Sequence, residues 1–280
     1  MDHVFEQSFQ RAQELYWVDL DENEKYLCPK IFGRSFTNLK NDESPLWLKN
    51  RLIAVDQRPI SSIVDITNYI MIDIGRPLHA YDIDKIKGTI LKISKSKKGD
   101  KFSALNGNTY ELDDNMLVIS DAESVDDLAG IMGGQRTAVS ANTKNVLLES
   151  AFFYPISLAG KARSHGLSTD ASHRFERGVD WKGQELALNR AIQLLQEIAG
   201  GEAGPLTEEV NEESLPKVAT VKLRPAQIER VLGIAVEKSK IESIFFRLGL
   251  VANFQESRSE KVWEILVPSH RFDINLEIDL

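Results

Sequence analysis

The chain has 280 residues, a formal charge of −8, 42% hydrophobic and 27% charged residues, and one cysteine. The length supports two domains or one large one, and the balance is that of an ordinary globular protein. Cys28 alone excludes an intrachain disulfide framework and a multi-cysteine zinc site. A protein held to nucleic acid by non-specific phosphate contacts is usually basic, so any such contact of this acidic chain should be local or shared with other domains.

No apolar run of about 18 residues marks a membrane span, and MDHVFEQSFQ reads as neither signal nor transit peptide. The expected setting is a reducing cytoplasm, with no membrane partner.

Residues 1–25 carry no clear pattern and are expected to form an N-terminal helix or to be mobile. YLCPKIFGRSFTNL (26–39) is aromatic and β-branched and reads as a strand. Ser44-Pro45 reads as a helix start, with Ser as cap and Pro at the first helical position. Trp47, Leu48, Arg51, Leu52 and Val55 follow with helical period. A second helix starts at Ser61 or Ser62 and stops at Gly75. GRPLHAYD then reads as a loop that leaves His79 accessible.

GTILKISKS (88–96) alternates as a half-buried strand, and Asn106-Gly107 marks a hairpin. MLVIS (116–120) and NVLLESAFF (145–153) are buried strands. GIMGGQRTAVS between them should carry a tight turn. WKGQELALNRAIQLLQEIAGG is the clearest helix, with Leu188, Ile192, Leu195 and Ile198 on one face. GEAGPLTEEVNEESLPK (201–217) is poor in large apolar residues and reads as an interdomain connection. The remainder runs strand–helix–helix–strand–strand, the order of a winged-helix-like module. It ends at NLEIDL, an amphipathic pattern just starting, which is read as a truncation.

A few residues could carry chemistry. Glu149 interrupts a buried strand, where a carboxylate is costly unless paired. It leaves the sheet edge, pairs with an arginine, or accepts from a ligand hydroxyl or amine. His79 is either a hydrogen-bonded structural residue or a catalyst. His165 and His173 lack the spacing of a helical zinc site. HGLSTDASHRFERGVD (165–180) packs Ser168, Thr169, Asp170, Ser172 and His173 together, but without the elbow of a serine nucleophile. Gly133-Gly134 is no phosphate loop, yet allows close backbone approach. From the residues alone the reading is a cytosolic α+β protein with a polar pocket, its class open.

SIVDITNYIMIDIGRPLHAYD, GIMGG, NVLLESAFF, GKARSHGLSTDASHRFERGVD, GEAGP and PSHRFDINLEIDL resemble the beta subunit of bacterial phenylalanyl-tRNA synthetase, from about Tyr26 to the end. The resemblance implies a mixed-sheet editing domain with packed helices over 26–206, a linker over 207–216, and a small winged-helix-like domain over 217–280. It implies hydrolysis of tyrosyl-tRNA(Phe) made in error, with no aminoacylation by this chain alone. His79 and Thr169 are the implied catalytic residues. Glu149, Gly133, Ala171, Thr67 and Asn68 are the implied substrate-binding residues, with no metal.

No cofactor is expected in this part; ATP and Mg2+ are implied for the whole synthetase. The implied partners are mischarged tRNA(Phe) and the synthetase alpha subunit. An inactive tRNA- or subunit-binding scaffold is the alternative. Since tyrosine is larger than phenylalanine, a size sieve cannot exclude the cognate product, and the site must read the hydroxyl. Arg76, where the family commonly has Gln, and Gln135-Arg136, where an acidic residue and His are familiar, flank the pocket and could tune RNA contact.

Overall fold

The computed structural model describes residues 16–17, 25–88, 90–257 and 261–280, in two compact units, 1–215 and 216–280. The class is α+β. The expectation for residues 1–25 falls outside the described residues except at Lys25 and at Tyr16–Trp17, whose backbone pairs in parallel with Ile90 and Leu91.

In chain order the first unit runs β1 (Tyr16–Trp17), β2 (Lys30–Thr37), α1 (Leu46–Ile53), α2 (Ser62–Ile74), β3 (His79–Asp82) and β4 (Ile90–Lys95). The hairpin β5 (Lys101–Ser103) and β6 (Thr109–Glu111) follows, then β7 (Leu117–Ser120), β8 (Val125–Leu128), β9 (Met132–Gly133) and β10 (Val146–Phe152). Helices α3 (Pro155–Leu158), α4 (Lys161–Ser164), α5 (Asp170–Arg177) and α6 (Gln184–Ile198) precede β11 (Glu202–Val210).

Two sheets organise this unit: β11-β2-β10-β3 and β1-β4-β7-β8-β9. β10 is central in the first, antiparallel to both neighbours, and all seven of its residues are buried. Its side chains alternate between two cores. Val146 and Leu148 join Ile63, Ile66, Ile70, Leu188 and Leu195 beneath α2 and α6. Leu147 and Ala151 face the second sheet, packing with Tyr81, Ile93, Val118 and Leu128. Glu149 shares the parity of Leu147 and Ala151, so its carboxylate projects between the two sheets.

Several local expectations change. Ser44 does not cap α1: the N-cap is Pro45, in extended conformation, and Ser44 donates to the buried Asp65 at 2.6 Å. Asp65 also accepts from the Ile60 amide at 2.7 Å, which ties the entry of α2 to the entry of α1. Gly75 ends α2 in the left-handed conformation at φ 77°, as its position predicts.

The linker expected over 207–216 is a correction. β11 runs through Val210 and pairs with β2, Thr207 opposite Gly33 and Val210 opposite Lys30. Its Glu, Gly and Pro content suits a solvent-facing edge strand, where a register shift between Ala203 and Leu206 spans Pro205. Composition alone made it look like a tether.

The second unit holds β12 (Thr220–Leu223), α7 (Pro225–Leu232), α8 (Lys238–Arg247), β13 (Val251–Glu256) and β14 (Lys261–Leu266). β14 lies between β12 and β13. Their core closes around Trp263, 1% exposed, with Phe245 and Phe254 packed on its ring.

Candidate functional site

Register builds the site. Glu149 stands directly opposite His79 across the β10–β3 pair, so the two side chains share a face. Tyr81, two residues along β3, falls on that face as well. From the second sheet, Asp127 of β8 stands opposite Gly133 of β9. Glu149, His79, Asp127 and Gly133 meet at a cleft whose wall also includes Leu78, Ile131, Phe153 and Ala171.

The polar atoms form a connected string. The Tyr81 hydroxyl lies 3.0 Å from Oε2 of Glu149 and 3.3 Å from Oδ2 of Asp127. That same Oδ2 is 3.5 Å from Nε2 of His79. The His79 ring meets Tyr81 edge-on, with centroids 4.4 Å apart. A phenol has one proton and cannot satisfy two ionised carboxylates at once. The pair therefore retains a further proton near neutrality, and both acids are held above the usual carboxylate range. For Glu149 the main cause is burial, followed by the charge of Asp127. For Asp127 burial again dominates, with Asp126 adding to it.

Burial pushes His79 below its ordinary value, with Glu149 opposing, so the imidazole is neutral at pH 7. Burial also drives the Tyr81 hydroxyl well upward, and it acts as a neutral donor. The Cys28 thiol is raised chiefly by burial and is no nucleophile here.

Gly133 gives the imidazole its space. A Cβ there would lie 2.3 Å from Cε1 of His79. Gly134 is required differently, since a Cβ would lie 2.4 Å from the Asp126 carbonyl oxygen. Small residues thus sit where a ring and a backbone come close.

Of the residues implied for the site, His79, Gly133, Glu149 and Ala171 come together on the cleft wall. His79 is the first residue of a strand and only 23% exposed in its side chain, so the loop reading is corrected. Thr67, Asn68 and Thr169 are not part of that wall. Thr67 is buried on α2 and donates to the Val64 carbonyl at 2.8 Å. Asn68 follows it on the same helix.

Thr169 caps α5. Its hydroxyl donates to the Ile131 carbonyl at 2.7 Å and accepts from the Ser172 amide, in a reciprocal capping box. Its one proton is spent, so it has none to offer a reacting water. What it does is tie the start of α5 to the β8–β9 turn, placing Ala171 on the cleft. Eight of the sixteen residues of HGLSTDASHRFERGVD thus form α5.

Arg76 and Arg136 are both held by groups of the protein itself. Arg76 is 2% exposed, donates to the Asp180 carbonyl at 3.1 Å and lies 3.4 Å from Ser150 Oγ. Gln184, with its amide oxygen turned inward, accepts from it at 3.0 Å. Burial brings Arg76 down to about 10. Arg136 bridges Asp121 and Asp126 and donates to the Lys85 carbonyl. Among the basic groups of 161–177, Arg174 pairs with Asp170, and Arg177 donates to the His173 carbonyl.

Sequence reading missed Asp127 and Tyr81. The signal was present: VDDL sets two carboxylates between apolar residues, the oddity that drew attention to Glu149. Tyr81 keeps the parity of His79 once HAYD is a strand. Among the described residues, no group of three or more His, Cys, Asp and Glu side chains is placed to hold a metal ion. No described helix is long and apolar enough to cross a membrane.

Residues 27–200 match the B3/4 domain model, and residues 221–280 match the tRNA synthetase B5 domain model. The chain is 47% identical over 254 residues to the phenylalanine–tRNA ligase beta subunit of Pseudomonas savastanoi pv. phaseolicola, covering 90% of this chain and 32% of that protein. It is 44% identical over 256 residues to the beta subunit of Burkholderia lata, covering 91% of this chain and 31% of that protein. The chain thus spans about a third of the length of these relatives.

Among solved structures, an N-terminal fragment of the phenylalanyl-tRNA synthetase beta subunit from Pyrococcus horikoshii aligns with a TM-score of 0.44 and 16% identity, over 92% of this chain and 70% of that one. With the B3/4 model covering residues 27–200, the chain belongs to the B3/4 domain family, joined to a tRNA synthetase B5 domain, and is similar to bacterial phenylalanine–tRNA ligase beta subunits.

Proposed function

We propose that the cleft hydrolyses the ester bond of tRNA(Phe) wrongly charged with tyrosine. The observation that carries this reading is Glu149, a carboxylate 5% exposed on the wall of the cleft. Its Oε2 accepts from Tyr81, while no described residue donates to its Oε1. A tyrosine ring lying between Gly133 and Ala171 would bring its phenolic O–H to that acceptor. Phenylalanine would leave it desolvated and unpaired, at ~1–3 kcal/mol or more for a charged group. Such pairing separates substrates differing by one hydroxyl far better than shape does.

The reaction needs no protein nucleophile, because an aminoacyl ester is already activated and a positioned water suffices. The water oxygen bonds to the ester carbonyl carbon, and the carbon–oxygen bond to the ribose breaks. The water's proton passes by way of the neutral His79 ring to the departing ribose oxygen. No cofactor enters this scheme; the ATP and Mg2+ of aminoacylation belong to the whole synthetase, as does the alpha subunit as partner. The family membership and the tRNA-ligase relatives support a site of action in the cytoplasm.

The test is deacylation of tyrosyl-tRNA(Phe) and phenylalanyl-tRNA(Phe) by the chain and its Glu149→Ala variant. Selective hydrolysis by wild type, lost in the variant, is expected. A variant that remains selective would refute the hydroxyl-reading role. A wild type inert towards both substrates would leave the chain as a tRNA- or subunit-binding scaffold.

A further inference from the structure

Asp127 has no role in the scheme above, yet it is 4% exposed and lies on the cleft wall. Its Oδ2 is the acid oxygen facing Nε2 of His79, at 3.5 Å. Nε2 is fully enclosed and has no hydrogen-bond partner at ordinary distance. The ring's other nitrogen, Nδ1, is not enclosed in this way, and His79 borders the cleft. Neutral imidazole carries one N–H, and the hydrogen bond made by one nitrogen decides the state of the other.

We propose, resting on the editing reading, that Asp127 is a positioning residue: it holds the His79 proton on Nε2, so that Nδ1 presents its lone pair to water in the cleft.

Geometry limits the alternatives. The opposite tautomer would set the Nε2 lone pair against an acceptor oxygen in a water-free corner, where an unpaired polar group is most costly. The charged and titratable groups around the ring are Glu149 on β10, Tyr81 on β3, and Asp127 with Asp126 on β8. Tyr81 already directs its hydroxyl at Glu149 and Asp127. Oδ2 of Asp127 is thus an acceptor, towards the Tyr81 hydroxyl and towards Nε2–H of His79 alike. Gly133 matters to the same end, since any side chain there would push the ring off this line.

Two readouts on the 280-residue chain test the assignment. Nitrogen-15 NMR of histidine-labelled wild type should show His79 protonated on Nε2 and bare on Nδ1. In Asp127→Asn the amide can turn its NH2 towards the ring, and the Nδ1–H form should gain population. In deacylation of tyrosyl-tRNA(Phe), Asp127→Asn should lose about tenfold to a hundredfold in kcat, no more than the lower bound of what general acid–base catalysis contributes, because the imidazole itself remains. KM should change less than about threefold, as expected for an interaction made in the transition state.

Asp127→Glu, keeping an acceptor, should recover part of kcat and the Nε2–H form. A wild-type His79 protonated on Nδ1 would overturn the proposal, as would an Asp127→Asn protein with unchanged tautomer and kcat. A chain that shows the Nε2–H form but hydrolyses neither substrate would refute the editing reading while leaving the tautomer assignment measured.

Discussion

Gly133 and His79 lie so close that a Cβ on the glycine would fall 2.3 Å from Cε1 and 3.0 Å from Nε2 of the imidazole. The ring also meets Tyr81 edge-on. Gly133→Ala must therefore turn His79 away from Asp127 and into the cleft. The backbone can stay in place, because the nearest atoms met belong to side chains. The expected outcome is a protein with a near-native melting temperature and at least about tenfold slower deacylation. Gly134→Ala should do the reverse. Its Cβ meets the Asp126 carbonyl at 2.4 Å, so it should cost on the order of 1–3 kcal/mol in urea unfolding.

The Glu149–Tyr81–Asp127 string predicts a pH dependence of stability. Both acids are pushed up to about 7 in the folded chain. The folded state then binds more protons than the unfolded one between the ordinary carboxylate range and pH 7. By linkage, stability falls as pH rises through that window and levels off above it, a tenfold difference in proton affinity between the two states being worth about 1.4 kcal/mol. Asp126, at about 6, acts in the same direction. Glu149→Gln removes one of these groups and should flatten the slope between pH 5 and pH 7. Urea titrations of wild type and variant at each pH supply the difference; a difference that stays constant across the window refutes the retained proton.

Thr169 separates a capping role from a catalytic one. Thr169→Ser keeps the hydroxyl, so it should retain both stability and deacylation. Thr169→Val keeps the shape but loses the bonds to Ile131 and Ser172. The expected cost is about 0.5–2 kcal/mol, as for other lost N-caps. The kcat loss should be small, arising only from a looser seat for Ala171. A drop in Thr169→Val comparable to that of an inert His79 variant would restore a chemical role to the hydroxyl.

Much of this arrangement is legible in the sequence. Period and punctuation place α2 with its stop at Gly75, the Asn106-Gly107 hairpin, α6, and the order of the second unit. Glu149 announces itself because a carboxylate in NVLLESAFF violates the pattern that makes a buried strand. What stays hidden depends on pairing. β11 looks like a tether because an edge strand has no need of apolar side chains, and its signature lies in the partner, β2. His79 looks like a loop residue because Gly75 and Pro77 mask the four-residue strand behind them. Asp127 can be tied to His79 only once two different sheets are brought face to face, a relation that no local pattern encodes.

Arg136 supplies the last prediction, where the RNA reading and the structural one diverge. Its guanidinium holds Asp121 and Asp126 together, and Asp126 is wholly buried beside Asp127. Arg136→Ala would leave that carboxylate facing Asp121 without a counter-charge. Breaking a fully buried pair costs roughly 3–5 kcal/mol. The Arg136 side chain is 32% exposed, so solvent screening should bring the loss to about 2–3 kcal/mol. Arg136 holds Asp126 down, so its removal raises that acid further and the penalty should shrink as pH falls towards 5. Asp126→Asn in the same chain should recover part of the loss, because it removes the stranded charge. An RNA-contacting arginine would behave otherwise: its loss would lower the salt slope of tRNA binding by about one. Filter binding across a salt series should instead give the same slope for wild type and Arg136→Ala, with the deficit appearing only in thermal unfolding.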